Sequence, residues 1–356
     1  MLASASAGCE DEVPCDAVGN ICTLAGTGEF GFNHDGKPAV DSDLYLVSSV
    51  ERGPDGRVWI MDFNNQRLRR IDDDGVMETV VGNGFHAFAD VSVPILDSPL
   101  ENPIDFDFYA DGRCVFVSYH DPRVLFVGDD GQLHALAGAA DGVLGTEGNE
   151  GDGGPATEAL FIQLDGIAVT DNDTVYVSDS LANRVRRIQD GMIETVAGTG
   201  EQAYSGDGGP ATEAALHWPS ALALDAEGGL YIAETQNHVI RYLATDGTIS
   251  TFAGTGAQGY GGDEGPATAA MLDQPYGLAV DEDGSVFISD RGNFVIRRVA
   301  PDGTIETVAG TGEQGLSRNG PALELPFGHL ARLGMDGDGL LIAEQSNSQI
   351  RRLTLR

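Results

Sequence analysis

"PYGLAVDEDGSVFISDRGNFVIRRVAPDGTIETVAGTG", residues 275–312, carries four short runs in which apolar and polar residues alternate, parted by the breaks "DEDG", "DRGN" and "APDG". Alternation over four to six residues marks a strand with one buried face, and Gly, Asp, Asn and Pro at the breaks supply the reversals. The same order stands one copy earlier, as "SALALD" (220–225), "LYIAE" (230–234), "VIRYLA" (239–244) and "TISTFAG" (248–254). A sheet of four short antiparallel strands cannot bury both its faces alone, so the unit needs neighbours of its own kind.

Those neighbours are in the chain. "LAGTG" at 24–28 returns as "VVGNG" at 80–84, "LAGAA" at 136–140, "VAGTG" at 196–200, "FAGTG" at 252–256 and "VAGTG" at 308–312. The first glycines fall at 26, 82, 138, 198, 254 and 310, steps of 56, 56, 60, 56 and 56 residues. Six copies stacked around an axis make an all-β, six-bladed β-propeller of four-stranded antiparallel blades. After Gly310 only "HLARLG", "LLIAE" and "QIRRLTL" remain as strands, while the chain begins with an orphan, "ICTLAGTG". The N-terminal strand is therefore expected to complete the last blade and close the ring, which removes an exposed edge. This divides the chain into a leader, 1–19, expected to be disordered, and one propeller, 20–356.

The stretch 275–312 resembles NHL repeats, and the resemblance covers nearly the whole chain after about residue 20. It implies the propeller fold. For function it implies only a range, since the family includes RNA-binding modules, scaffolds and relatives such as the amidating lyase of peptidyl-α-hydroxyglycine, and six-bladed gluconolactonases share the architecture. The glycine-proline connectors and the start of the chain most resemble exported bacterial NHL proteins.

Charge narrows the partners. Acids number 56 and bases 20, a net charge of -36, and Lys37 is the single lysine. Nucleic acid is excluded as a partner, because phosphate binding needs clustered cations. A lysine-poor acidic surface suits high salt, or a highly soluble exported protein. No run of about 20 apolar residues spans a bilayer. Cys9, Cys15 and Cys22 crowd the first 22 residues and Cys114 stands apart; this suggests an oxidising compartment and a disulfide such as Cys15–Cys22. "MLASASAGC" resembles the end of a secretory signal with Cys9 as a lipid-bearing residue, although Ser6 stands where such sites carry Leu. The expected location is the periplasm, the outer membrane as a lipoprotein, or the medium, with membrane contact only through that anchor, and the expected state is a monomer.

Architecture demands sameness among copies and a single site demands difference. The second strands end on Asp62, Tyr119, Asp179, Glu234, Asp290 and Glu344; carboxylates there are expected to accept N–H bonds of the following turn. The third-strand arginines, Arg69, Arg70, Arg186, Arg187, Arg297, Arg298, Arg351 and Arg352, are expected to pair between blades. Entering the first strands, the copies differ: Glu101, Asp165, His217, Asp273 and Glu324 are expected to ring the channel mouth on the face carrying the inter-blade connectors. Four carboxylates and one imidazole suit calcium; zinc suits less, because few histidines converge. Trp218, His238, Tyr276 and His329 complete a ligand rim. In blade two "SYHDPR" places Tyr119 and His120 on the same face, as general bases if the protein is an enzyme.

"GTGEFG", "GTGAQG" and "GTGEQG" match the dinucleotide fingerprint but open no helix, so no nucleotide cofactor is expected. The leading reading is a propeller that binds a small molecule, glycan or protein through an acidic upper face with calcium. The other is a metal-dependent lyase or lactonase. "YSGDGGPATEAALHWP" (204–219) is read as a connector whose Pro210 starts a helical turn over the upper face and whose Asp207 fixes the loop's own backbone.

Overall fold

A computed structural model gives the fold and describes residues 13–316 and 318–356. The chain forms six antiparallel sheets whose strands follow one another in order from the axis outward. The first blade runs Ser49–Arg52, Val58–Asp62, Arg67–Ile71 and Met77–Val81. The fourth runs Pro219–Leu224, Leu230–Glu234, Val239–Leu243 and Ile249–Ala253. The sixth is built from Leu330–Asp336, Gly339–Glu344 and Gln349–Thr354, and Asn20–Ala25 supplies its outer strand, pairing Cys22 with Arg352. The closure expected from the sequence is present.

Residues ahead of that strand are tied to it. Cys15 and Cys22 form a disulfide, and Thr354 Oγ1 donates to the Cys15 carbonyl at 2.9 Å. Cys9, the expected lipid site, lies outside the described residues. Among the described residues no helix is long and apolar enough to cross a membrane.

The apolar faces meet between blades, as in the cluster joining Val117 and Val124 of the second blade to Leu164 and Val177 of the third. Each connector also lies against the outer strand of the blade it enters: Pro38 pairs with Val76, Pro94 with Gln132, Pro155 with Met192 and Pro210 with Thr248. A short 3-10 turn follows, with a buried alanine such as Ala211 whose carbonyl accepts from Gly198 N–H while its N–H reaches the Gly247 carbonyl. The turn after Pro210 thus seals a sheet edge rather than roofing the upper face. The chain then returns to the channel beside its own beginning, through parallel bridges such as His86 with Leu100 and Gln202 with Leu216.

Candidate functional site

A repeated ionic frame sits beneath the upper face. In five blades the second strand ends on a buried carboxylate, Asp62, Asp179, Glu234, Asp290 or Glu344. Each accepts the N–H of the residue entering its own blade: Tyr45 at 2.8 Å, Ile162 at 2.9 Å, His217 at 2.9 Å, Asp273 at 2.7 Å and Gly328 at 2.7 Å. The preceding connector is thus a partner the sequence did not show, beside the expected following turn, where Asn65 donates to Asp62 at 2.8 Å and Asn293 to Asp290 at 2.8 Å through side-chain amides. The fully buried third-strand arginines meet these acids within the blade, Arg69 with Asp62 at 3.3 Å and Arg241 with Glu234 at 2.8 Å. On the far side they meet connector aspartates: Asp35 at 3.0 Å, Asp152 at 2.7 Å and Asp207 at 2.6 Å, with Asp263 held by Arg297 in the same way. These pairs lie inside blades, not between them, because the connector runs along the blade it enters. Asp207 accordingly binds Arg241 and Thr251, not its own loop. Burial pushes Asp62 up to about 6 and Asp290 up to about 7 despite the opposing pull of the arginines.

Blades are hooked to one another by a different element. In four blades the left-handed residue before the third strand accepts an N–H of the next blade: Gln66 from Asn102 at 2.7 Å, Asn183 from Trp218 at 3.1 Å, His238 Nδ1 from Gln274 at 3.0 Å and Ser348 from Leu46 at 2.9 Å. His238 is thus one hook among four. Burial lowers its pKa, which suits a neutral acceptor.

The second blade lacks the frame. Ser118, paired with Pro103 as Glu234 pairs with Pro219, stands where its siblings carry the acid. Leu125, opposite Ala135, replaces an arginine opposite threonine, and Val91, three residues before Pro94, replaces the connector aspartate. Tyr119 therefore belongs one position later than the sequence alignment put it, beside Phe63, Ser180, Thr235, Arg291 and Gln345. Burial pushes its phenol up, which disfavours the phenolate that a general base would need.

The centre of the channel is held by a residue the sequence reading missed. Arg332 is almost fully buried and reaches from the sixth blade to Asp165 Oδ1 at 2.7 Å, Asp105 Oδ2 at 3.2 Å and the Tyr276 carbonyl at 2.8 Å. Tyr276 hydroxyl donates to the same Asp165 oxygen at 3.1 Å, and Arg291 lies 4.7 Å over the Tyr276 ring. Asp165 Oδ2 and His329 Nδ1 are buried and have no hydrogen-bond partner among the described residues. Below Arg332 a cavity of about 360 Å³, bordered by Glu51, Asp105, Asp107 and Leu278, fills the lower channel.

The expected five-residue metal ring does not assemble. Asp165 is committed to Arg332, His217 and Asp273 stand at the fourth and fifth blades, and Glu324 is exposed on an outer 3-10 turn. The last misplacement is a four-residue slip: Phe327, not Leu323, makes the bridge that Leu44, Leu100, Leu216 and Leu272 make. Counting six residues on from the connector proline in every copy lands on these residues, and on Arg332 five later in the sixth. Among the described residues a single group of three metal-competent side chains comes together: His86, Glu101 and His120. Glu101 Oε1 lies 2.8 Å from His86 Nε2 and 3.5 Å from His120 Nδ1. His86 had a signal, since four residues after the first glycine the six copies read Phe30, His86, Gly142, Gln202, Gln258 and Gln314.

Comparison with known proteins bears on the fold. The model of the Teneurin NHL domain matches residues 255–323. Teneurin-4 of Homo sapiens is 25% identical over 260 residues, 64% of this chain and 9% of its own length. The chain is an NHL-repeat propeller. Protein SUPPRESSOR OF QUENCHING 1 of Arabidopsis thaliana is 27% identical over 261 residues, 68% of this NHL propeller and 24% of its own length. The chain thus spans under a quarter of the length of these curated relatives. Among solved structures, an auxiliary nutrient binding protein from Bacteroides thetaiotaomicron superposes with TM-score 0.67 at 15% identity, covering 94% of this chain and 75% of that one. Virginiamycin B lyase from Staphylococcus aureus superposes with TM-score 0.55 at 16% identity, covering 91% and 87%. At these identities the two structures attest the fold alone.

Proposed function

We propose that this NHL propeller is a ligand-binding module that takes a small molecule, glycan or protein segment on its upper face, around the channel mouth, outside the cytoplasm. One observation carries the reading. At equivalent rim positions, above a frame repeated in five blades, the side-chain pairs differ: Phe30 stacks on Tyr45 at 5.3 Å, His86 meets Glu101 at 2.8 Å, and Gln258 bonds Asp273 at 3.1 Å. Architecture has no use for such difference, whereas a surface that recognises one ligand requires it. The Cys15–Cys22 disulfide supports an oxidising compartment. A metal-dependent lyase or lactonase is the second reading, favoured by the His86–Glu101–His120 group; two imidazoles among three donors argue against calcium there.

The test is a thermal-shift screen of sugars, amino acids and organic acids on the wild type, Arg291→Ala and Glu227→Ala. Stabilising compounds are expected to lose their effect with Arg291→Ala only. Loss with Glu227→Ala instead would move the site to the lower-face groove of about 730 Å³ that Glu227 lines.

A further inference from the structure

The second blade has exchanged its ionic frame for something else. Asp121 and Arg123, both buried, form a two-point pair with bonds of 2.7 and 2.6 Å, and together they grip Ala89. Asp121 Oδ2 accepts the Ala89 N–H at 3.1 Å and Arg123 donates to the Ala89 carbonyl at 2.8 Å. Ala89 lies three residues beyond His86, and Asp121 follows His120. The clamp therefore fixes the connector that carries one histidine against the turn that carries the other. Glu101 is fixed between them: its neighbour Leu100 bridges His86, and Asn102 accepts the Tyr119 N–H at 2.9 Å.

We propose that His86, Glu101 and His120 bind a first-row divalent transition cation, zinc in the first instance, with positions left open to a further ligand. The three donor atoms lie within 4.8 Å of one another. Zinc held at about 2.0–2.2 Å in a tetrahedron sets its ligands about 3.4 Å apart, so the ion enters with side-chain shifts of under an ångström. Two imidazole nitrogens and one carboxylate select zinc, nickel or copper over calcium and magnesium, which prefer all-oxygen sites. The carboxylate is largely sheltered, while both imidazoles are about half exposed, with side-chain accessibilities of 55% and 57%, so the cation reaches the site from solvent. Arg123, on the turn beside His120, is already paired with Asp121. Three protein ligands leave a tetrahedral ion one exchangeable position. On the upper rim that position is open to water or to an anionic oxygen, such as a carboxylate or phosphate, of a molecule docking on this face. The inference does not depend on what binds at the channel mouth.

Isothermal titration of ZnCl2 and, separately, CaCl2 into untagged, EDTA-stripped full-length protein tests the site, with circular dichroism confirming that each variant folds. One zinc per chain is expected, with no calcium competing at millimolar excess. His86→Ala and His120→Ala should each weaken binding at least about tenfold and their combination abolish it, with Glu101→Gln intermediate. His217→Ala, outside the cluster, should bind as wild type. The inference is overturned by absent stoichiometric zinc, by zinc that persists in the folded double variant, or by calcium that displaces zinc.

Discussion

The second and fourth blades have the same four strands and opposite ways of holding their upper ends. In the fourth, Arg241 is buried between Glu234 and Asp207 and roofed by Tyr204 at 5.2 Å. In the second the equivalent core position is Leu125, and a local clamp, Asp121–Arg123, carries the loop. A buried ion pair is exacting rather than strongly stabilising, since it recovers desolvation only while every partner is present. With leucine in its place the connector is held instead by the clamp on Ala89, and the connector and turn so joined are where two histidines converge on a glutamate.

One substitution made in both blades probes this difference most directly. Arg241→Met leaves Glu234 without its buried counter-charge and should cost about 3–5 kcal/mol. Leu125→Met keeps volume and polarity and should cost less than about 1.5 kcal/mol. Equal losses in urea unfolding would mean that the ionic frame does not hold the blades.

Asp121→Asn should act chiefly on the site. It weakens the grip on Ala89, so zinc affinity is expected to fall by about tenfold while the unfolding midpoint moves less than with Arg241→Met. A variant with unchanged zinc affinity would separate the clamp from the cluster.

In the lower channel of the second blade, Asp107 accepts its own Phe108 N–H and that of Val169, each at 2.7 Å, and burial raises its pKa to about 7. Folding therefore favours its protonated form. Its contribution is highest below the unfolded value of about 3.9 and is lost as pH rises toward 7. Asp107→Asn should barely change the melting temperature near pH 4 and raise it at pH 8. A rise at both pH values would assign the gain to packing.

Salt should produce the smallest change. With a net charge of -36, self-repulsion is screened as NaCl rises from about 0.05 to 1 M, so melting should move up by a few degrees in wild type and in Leu125→Met alike. A fall would show that ion pairs outweigh repulsion.

The repeat made the fold legible. Period-2 alternation, six returning glycines and an orphan first strand leave few arrangements that bury every sheet and close every edge. The frame was legible as recurrence, but not as pairing, since only the path of each connector brings Asp207 to Arg241 of the blade that follows. Difference between copies pointed to Glu101 and His120, and to the rim position of His217. It misplaced Glu324, because alignment on the nearer leucine slipped the sixth copy by four residues, and it passed over Arg332, which lies one position beyond the column compared.

The sequence by itself determined how many blades there are, where the ring closes and which surface has to be solvated by acids, since these follow from local periodicity and composition. Which residues meet was decided by the tertiary structure. Arg332 lies 227 residues from Asp105 and 167 from Asp165 along the chain, and His86 and His120 come from separate segments. Closing a ring brings such positions together through blade packing and connector geometry, which no local pattern of the chain encodes.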